Sequence, residues 1–279
     1  MLGRASGLAS RQHLTPINVV ILIAIGWLGF GPLLSASADP LNPACPKDSI
    51  PSGTICIDKY EASVWKTTDP RLIRSIRAGS VSLDDLKQAG AAVQLGVSEG
   101  DLSAAGCPVG GNGCTDIYAV SIPGVTPATR ISWFQAVAAS RNAGKRLPTN
   151  AEWQAAALGT PDGAPCRIGS APGGPLVTGT LGCTSDVGAF DMVGNVWEWV
   201  ADWVPLSTAC PGWLVDGVGF VSDDTNCLAG ASTTFAPGAL FRGGDFTSGA
   251  GAGVYAVNGA NSPFKACCDA LGFRAARPL

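Results

Sequence analysis

The first hydrophobic feature of the chain is an uncharged apolar run from Ile17 to Leu34. Residues 1–16 before this run carry two arginines and no acidic residue, and small residues with an Ala-x-Ala pattern follow it. This order is typical of an export signal, so we predict a signal peptide at residues 1–38. An uncleaved membrane anchor is the alternative, because an apolar run of 18 residues is close to the length of a membrane span.

Beyond residue 38 the apolar positions come in short runs separated by glycine and proline. Two capping boxes, Ser-x-x-Gln at 132–135 and Thr-x-x-Glu at 149–152, predict two short helices, and Gly144 and Gly159 stop them. A Ser-x-x-Asp box predicts a further helix, and residues 50–65 are typical of a strand pair. The predicted helices cover about 82–95, 132–142 and 152–158, and later strands cover 196–204, 240–242, 253–257 and 272–276.

Long Gly- and Pro-rich loops join these elements, above all between residues 159 and 188. Few strands, few helices and long loops predict an irregular α+β domain. We expect one such domain over residues 39–279.

Composition then narrows the chemistry. The chain has 14% charged residues and a formal net charge of −3, which does not suit nucleic acid, because phosphate contacts need clustered Lys and Arg. The single histidine, His13, precedes the apolar run and would leave with the signal peptide. The mature protein would then lack imidazole, which excludes Ser-His-Asp and Cys-His mechanisms and histidine-ligated zinc.

All ten cysteines lie beyond residue 38. An even number in an exported chain favours disulfides, although spacing alone leaves many pairings open. Local pairs across Gly- and Pro-containing loops are the simplest prediction. They are Cys45 with Cys56, Cys107 with Cys114, Cys166 with Cys183, and Cys210 with Cys227, which leaves the adjacent Cys267 and Cys268.

The densest polar motif lies at residues 191–199, where Asp191, Asn195 and Glu198 surround a glycine turn. Calcium takes six to eight oxygen ligands from such loops. The alternative is structural: Asn195 caps a turn and Glu198 pairs with a buried arginine such as Arg146 or Arg242. Arg242 and Arg274, each beside a glycine, are also predicted to be structural, satisfying carbonyls or Glu198, with ligand contact as the alternative.

Five ordered blocks resemble the formylglycine-generating, sulfatase-modifying-factor family. These blocks are 58–61, 144–153, 191–203, 241–244 and 271–274. The resemblance implies a C-type-lectin-like fold. It also implies a structural calcium ion held by the side chains of Asp191 and Glu198 and the carbonyls of Gly194 and Val196.

The family's catalysts hold copper with two cysteines just after the Arg-Gly-Gly block. Here residues 245–253 contain no cysteine, and Ser248 and glycines near Gly251 stand in their place. Without thiolates a copper(I) site is not expected. The resemblance therefore implies a protein without the family's oxidase chemistry.

The closing block of the chain resembles the variable proteins of diversity-generating retroelements, whose surface positions are diversified. This resemblance implies a binding surface for an unknown protein or glycan, carried by a loop on a rigid fold. We therefore expect an exported, non-catalytic binder with no stable membrane span after signal cleavage. A divergent formylglycine-generating oxidase is the alternative. The candidate surface positions are Asp245, Thr247, Ser248, Gly251, Tyr255, Asn258, Ala266, Cys267, Cys268 and Asp269.

Overall fold

The computed structural model describes residues 44–279 except 89, 170–172, 181, 212–221 and 267. The strands in these residues are β1 (Ser49–Ser52), β2 (Ile55–Asp58), β3 (Ser63–Lys66), β4 (Val93–Leu95), β5 (Ile117–Val120), β6 (Trp197–Val204), β7 (Asn226–Cys227), β8 (Gly238–Gly243), β9 (Gly253–Asn258), β10 (Leu271–Phe273) and β11 (Ala276–Pro278). The helices are α1 (Pro70–Arg77), α2 (Leu83–Lys87), α3 (Asp101–Ala104), α4 (Trp133–Asn142) and α5 (Asn150–Ala157), and a 3₁₀ turn covers Gly249–Gly251. Short elements and long loops confirm the predicted α+β class.

The strands form three sheets within the described residues. Their orders are β1-β2-β11, β4-β3-β5 and β10-β6-β8-β9-β7. In the five-stranded sheet, β6 and β8 are antiparallel, while β10 runs parallel to β6. Residues from β6 and from the end of the chain therefore lie side by side, although they are far apart in sequence.

The five-stranded sheet buries both of its faces, because side chains alternate between them. Trp199 and Phe241 belong to the larger core cluster, which includes residues of α4. Val200 and Leu240 belong to a second cluster that contains Trp153 of α5. The two helices thus supply separate cores, and the apolar alternation of β6 reflects packing.

Both predicted capping boxes are confirmed. Ser132 caps α4 with Gln135, and Thr149 caps α5 with Glu152; in each box the side chains and backbone N–H groups bond reciprocally. Gly144 follows α4 with φ of 72°, a left-handed conformation that glycine adopts without a Cβ clash. Local chemistry therefore sets the ends of both helices.

Other sequence predictions need correction. The helix predicted at 82–95 begins as expected at the capping box of Ser82, but α2 ends at Lys87. Residues 93–95 form strand β4 instead, because they pair with β3. The strand pair predicted in residues 50–65 is also wrong as a pair. Strands β2 and β3 lie in different sheets, since β2 pairs with β1 and β11.

The strand predicted at 272–276 is likewise two strands, β10 and β11, in different sheets. Two helices, α1 and α3, were not predicted. The chain changes sheets at Arg274, whose side chain is fully buried.

The four predicted local disulfides are confirmed, and a chain with four formed disulfides is typical of an oxidising compartment. Their loops span 7 to 17 residues. The bonds are Cys45–Cys56, Cys107–Cys114, Cys166–Cys183 and Cys210–Cys227.

The predicted signal peptide at 1–38 lies outside the described residues. Among the helices that the structure does describe, none is both long enough and apolar enough to cross a membrane. The described residues from 44 onward belong to one compact unit.

Candidate functional site

The turn that precedes β6 carries the residues of the predicted calcium site. Asp191 and Asn195 both adopt left-handed backbone conformations, with φ of 59° and 57°. Gly194 packs so closely against the carbonyl of Arg167 that a Cβ atom would clash there. The backbone therefore turns sharply and directs polar groups from this turn into the protein.

A buried cluster of three carboxylates and one arginine lies behind this turn. Glu61, Asp191, Glu198 and Arg274 are all at most 4% exposed. Arg274 donates from Nε and Nη2 to the two oxygens of Glu198, at 2.6 and 2.5 Å. Trp153 Nε1 donates to Oε2 of Glu198 at 2.7 Å. Glu198 is thus bound by protein groups on both oxygens.

Glu61 completes the cluster from the other end of the chain. Its carboxylate accepts hydrogen bonds from Asn195 Nδ2 at 2.5 Å and from the Val196 N–H at 3.1 Å. Asp191 accepts from the N–H of Gly179 at 3.0 Å. Glu61 belongs to the block 58–61 but was absent from the predicted calcium site, and it ties β6 to the region just before β3.

The carboxylates of this cluster perturb one another. Burial raises the pKa of Glu61 well above its usual range, and repulsion from Asp191 and Glu198 raises it further. Burial also raises the pKa of Asp191 to about 6, although the Gly179 N–H and Arg274 oppose this. Three carboxylates against one guanidinium leave the site with excess negative charge when all are ionised.

The structure brings the four predicted calcium residues into one turn and strand, and it identifies the partner of Glu198. The prediction that Glu198 pairs with a buried arginine is confirmed. The partner is Arg274, one of the two glycine-flanked arginines expected to satisfy carbonyls or Glu198, and not Arg146 or Arg242. Arg146 instead pairs with Glu152.

Arg242 has a structural role as well. Its guanidinium donates to the carbonyls of Ala256 and Val254 and to the side chain of Asn150. It also lies over the ring of Trp153, 4.7 Å from the centroid. These contacts join α5 to β8 and β9.

The candidate surface begins with a tight loop after β8. Asp245 is buried, and its Oδ1 accepts hydrogen bonds from the N–H and Oγ1 of Thr247, both at 2.7 Å, and from Ser248 Oγ at 3.1 Å. The Asp245 N–H in turn donates to Ser248 Oγ at 3.0 Å. Asp245 therefore shapes the loop from inside.

The other predicted surface positions differ in exposure. Thr247, Tyr255 and Asp269 are exposed, whereas Ser248, Gly251, Asn258, Ala266 and Cys268 are half-buried. Cys268 has a φ of 63°, and its carbonyl accepts from the Arg130 N–H. Cys267 lies outside the described residues.

An aromatic cluster that the sequence did not reveal adjoins this segment. Phe264 contacts Phe134 with ring centroids 4.7 Å apart, and Trp203 contacts both Phe134 and Trp133. Phe264 is 55% exposed and Trp203 is 43% exposed. We call these four residues the aromatic patch. Its members come from α4, β6 and the C-terminal segment, so only the fold brings them together.

The chain is similar in part to several curated proteins. It is 40% identical over 101 residues to a formylglycine-generating enzyme of Thermomonospora curvata, covering 28% of this chain and 33% of that protein. It is 38% identical over 114 residues to the formylglycine-generating enzyme of Mycobacterium tuberculosis, covering 30% and 38%. The aligned region thus spans little more than a third of these relatives' length.

Solved structures resemble the chain more loosely. The I1 variant of the Major Tropism Determinant superposes with a TM-score of 0.47 at 18% identity, covering 84% of this chain and 53% of that one. Treponema denticola variable protein 1 gives a TM-score of 0.37 at 18% identity, covering 57% and 75%.

A family model covers a much larger part of the sequence. Residues 104–171 and 170–279 match the model of the family described as the sulfatase-modifying factor enzyme 1-like domain. The matched segments contain α4, α5 and the five-stranded sheet, together with Asp191, Glu198 and Arg274 of the buried cluster, whereas Glu61 precedes them. This family and the observed α+β architecture agree with the expected C-type-lectin-like fold. Since the match extends over more than half of the chain, the protein belongs to the sulfatase-modifying factor enzyme 1-like family.

Proposed function

We propose that this chain is an exported, non-catalytic member of its family that binds a macromolecule through residues 245–271. The observation that carries the proposal is the combination of exposed side chains with a buried frame in this segment. Tyr255 and Phe264 are exposed, whereas the neighbouring Ala256 and Val257 are buried in the two cores. Side chains on such a frame can change while the core stays intact.

The exposed aromatic patch favours a protein partner over a glycan. Aromatic residues carry much of the binding energy of protein interfaces, because they bury large areas at a small entropic cost. Phe264 of the C-terminal segment extends this patch beyond β6 and α4.

The lack of catalysis is proposed from the loop that follows β8. Ser248 stands where a catalytic thiol is expected, and its hydroxyl is bonded within the loop to Asp245. Without thiolates, residues 245–253 offer no soft ligands for copper. The oxidase alternative draws its support from the partial identity with formylglycine-generating enzymes.

Binding can be tested directly with purified protein on arrays of surface proteins and of glycans. We expect a protein ligand whose Kd rises at least about tenfold in Tyr255→Ala and Phe264→Ala, because interface aromatics are frequent hot spots. Val93→Ala is the matched control, since Val93 is 61% exposed on β4 in another sheet. Unchanged affinity in both test variants would contradict the proposal, and a glycan hit that depends on them would reassign the ligand class.

The neighbouring DNA provides an independent test of diversification. We expect a reverse-transcriptase gene and a near-copy of the last coding segment, mismatched at adenines. If both were absent, the interpretation as a retroelement variable protein would be wrong. Ligand binding would still be decided by the binding assay.

The oxidase alternative is tested by incubating the protein with copper, oxygen and a cysteine peptide of the sulfatase type. We expect no formylglycine. Turnover that persists in Cys267→Ala and Cys268→Ala would show that the chain is an enzyme with another active site.

We also propose that the predicted calcium ion has a structural role at Asp191, Glu198 and the carbonyls of Gly194 and Val196. The buried cluster sets three carboxylates against one guanidinium, so a cation bound there would stabilise their ionised forms. Within the described contacts, Oε1 of Glu198 accepts from Arg274 alone, which leaves it room for another ligand.

Thermal melts test this proposal. Calcium should raise Tm of the wild-type protein, and Asp191→Asn should reduce that rise. Asn is a suitable replacement because it tolerates the left-handed backbone at position 191. An equal rise in Asp191→Asn would refute this site.

A further inference from the structure

Three carboxylates meet at a place that none of the sequence motifs includes. One oxygen from each of Asp162, Asp223 and Asp224 lies within 4.8 Å of the others. Asp162 and Asp223 are exposed, whereas Asp224 is 1% exposed. Among the described residues, no salt bridge includes any of the three. Within the described part of the chain, their negative charges therefore face one another without an ion-pair partner.

Asp224 supplies the second observation that points to a ligand. Its Oδ2 accepts a hydrogen bond from the N–H of Tyr255 at 2.6 Å. Its Oδ1 is buried and has no hydrogen-bond partner among the residues that the structure describes. A buried carboxylate oxygen without a partner is costly, because it has lost water and received nothing in exchange.

The carboxylates also repel one another. Burial raises the pKa of Asp224 to about 6. The charges of Asp162 and Asp223 add to this rise, and hydrogen bonds from the Tyr255 N–H and the Ser222 side chain oppose it.

The surrounding backbone is held firmly enough to keep the cluster together. Cys166, four residues after Asp162, is bonded to Cys183, and Cys227, three residues after Asp224, is bonded to Cys210. Gly253 at the start of β9 packs directly on the Asp224 carboxylate, where a Cβ atom would clash.

We propose that Asp162, Asp223 and Asp224 form a second divalent-cation site that prefers calcium. The donors are all hard carboxylate oxygens, which calcium and magnesium accept and which softer transition metals do not favour. Calcium fits better than magnesium, because ligands from two separate loops suit a flexible coordination shell more than a strict octahedron. This site is separate from the one at Asp191, and it does not depend on the proposed function.

The ion would fasten the loop around Asp162 and the loop around Asp224 to the same point on β9. Strand β9 carries Tyr255, whose backbone N–H already bonds to Asp224. Calcium would therefore brace the strand that presents part of the candidate surface.

Calcium titration by calorimetry at pH 7.5 tests the site in chelator-treated full-length protein. The test variants are Asp162→Asn and Asp223→Asn, which alter exposed side chains, together with Asp224→Asn. Circular dichroism checks that each variant keeps the wild-type fold. We expect Kd for calcium at one site to rise at least about tenfold in each, since even outer-shell changes at metal sites cost 10–100-fold. Asp84→Asn, an exposed carboxylate on α2, is the matched control and should bind as wild type does.

The same titration in Asp191→Asn separates the two sites. We expect the ion governed by Asp162 and Asp223 to remain bound in this variant. The proposal is overturned if wild type binds no calcium, if both exposed variants retain the wild-type Kd, or if Asp191→Asn alone abolishes all binding.

Discussion

Arg274 is the residue on which the buried carboxylate cluster depends. Its guanidinium is fully buried and bonds to both oxygens of Glu198, to the carbonyl of Asp58 and to the carbonyl of Phe190. It joins β6 to the point where the chain passes from β10 to β11. Its removal would leave Glu198 charged and buried, with Glu61 nearby.

We predict that Arg274→Ala lowers the free energy of unfolding by about 3–5 kcal/mol, because breaking a buried ion pair leaves an uncompensated charge. Arg274→Lys should lower the free energy of unfolding by less, because lysine keeps the positive charge but cannot reproduce the two parallel hydrogen bonds to Glu198. Urea unfolding followed by tryptophan fluorescence measures both.

Arg71→Ala is the control for this change, because Arg71 is 84% exposed and should alter stability by less than about 0.5 kcal/mol. If Arg274→Ala were as stable as wild type, Arg274 would not be needed to compensate the buried charge of Glu198.

At the scale of elements, the start of α5 combines a capping box with an ion pair. Glu152 accepts from the Thr149 N–H and bonds to Arg146 through two oxygens, each at 2.7 Å. The hydrogen bonds from Arg146 lower the pKa of Glu152 to about 2, with a smaller contribution from Thr149. The folded state therefore favours ionised Glu152, and the resulting stabilisation of the fold is fully present above pH 4.5, the usual pKa of this group.

We predict that Glu152→Gln costs about 1 kcal/mol at pH 7, a modest value because Arg146 is 44% exposed. Glutamine at this position can still close the capping box, so the variant isolates the charge. The difference from wild type should shrink as pH falls from about 4.5 to 2, where wild-type Glu152 becomes protonated. Urea unfolding at several pH values measures it, and a difference that is constant with pH would contradict the assigned role.

The disulfides are a second feature at this scale. Cys166–Cys183 closes a loop with a sequence separation of 17 and joins residues near Asp162 to the turn before Asp191. We predict that Cys166→Ala with Cys183→Ala costs about 3 kcal/mol, mainly through the larger entropy of the unfolded chain. Thermal unfolding measures this loss, and a loss no larger than that of an exposed alanine substitution would contradict it.

Elements that local chemistry determines were predictable from the sequence, and those that depend on distant partners were not. The caps of α4 and α5 and the local disulfides need only residues close in sequence. By contrast, Val93–Leu95 extends the pattern of α2 but becomes a strand because β3 offers it a partner. Helix α1, with Asp69 as its N-cap and Pro70 at its first position, carries a start signal inside a region that otherwise looks like loop.

The same distinction applies to the candidate sites. The turn at residues 191–198 was recognisable because its polar residues are neighbours in sequence. Glu61 is 134 residues from its partner Asn195, and Asp162 is about 60 residues from Asp223, so no spacing rule connects them. Apolar periodicity and capping residues predict only the local backbone structure. These clusters instead depend on the order of strands in the sheets.

At the scale of the whole molecule, the C-terminal segment divides into positions that maintain the fold and positions that face outward. Asp245 belongs to the first group, because its buried carboxylate accepts three hydrogen bonds within its loop. Asp269 belongs to the second group, because it is exposed. The sequence predicts both positions to be variable. The structure indicates that Asp269 tolerates substitution, whereas Asp245 does not.

We predict that Asp269→Asn alters the free energy of unfolding by less than about 0.5 kcal/mol, as exposed substitutions usually do. Asp245→Ala should cost about 1–3 kcal/mol, because it leaves the donors of Thr247 and Ser248 without their acceptor. For a domain of this size that loss lowers Tm by roughly 2–4 °C per kcal/mol. Differential scanning calorimetry compares the two variants in one buffer. Equal losses would mean that the segment has no division between frame and surface, and a binding surface could not vary there without loss of the fold.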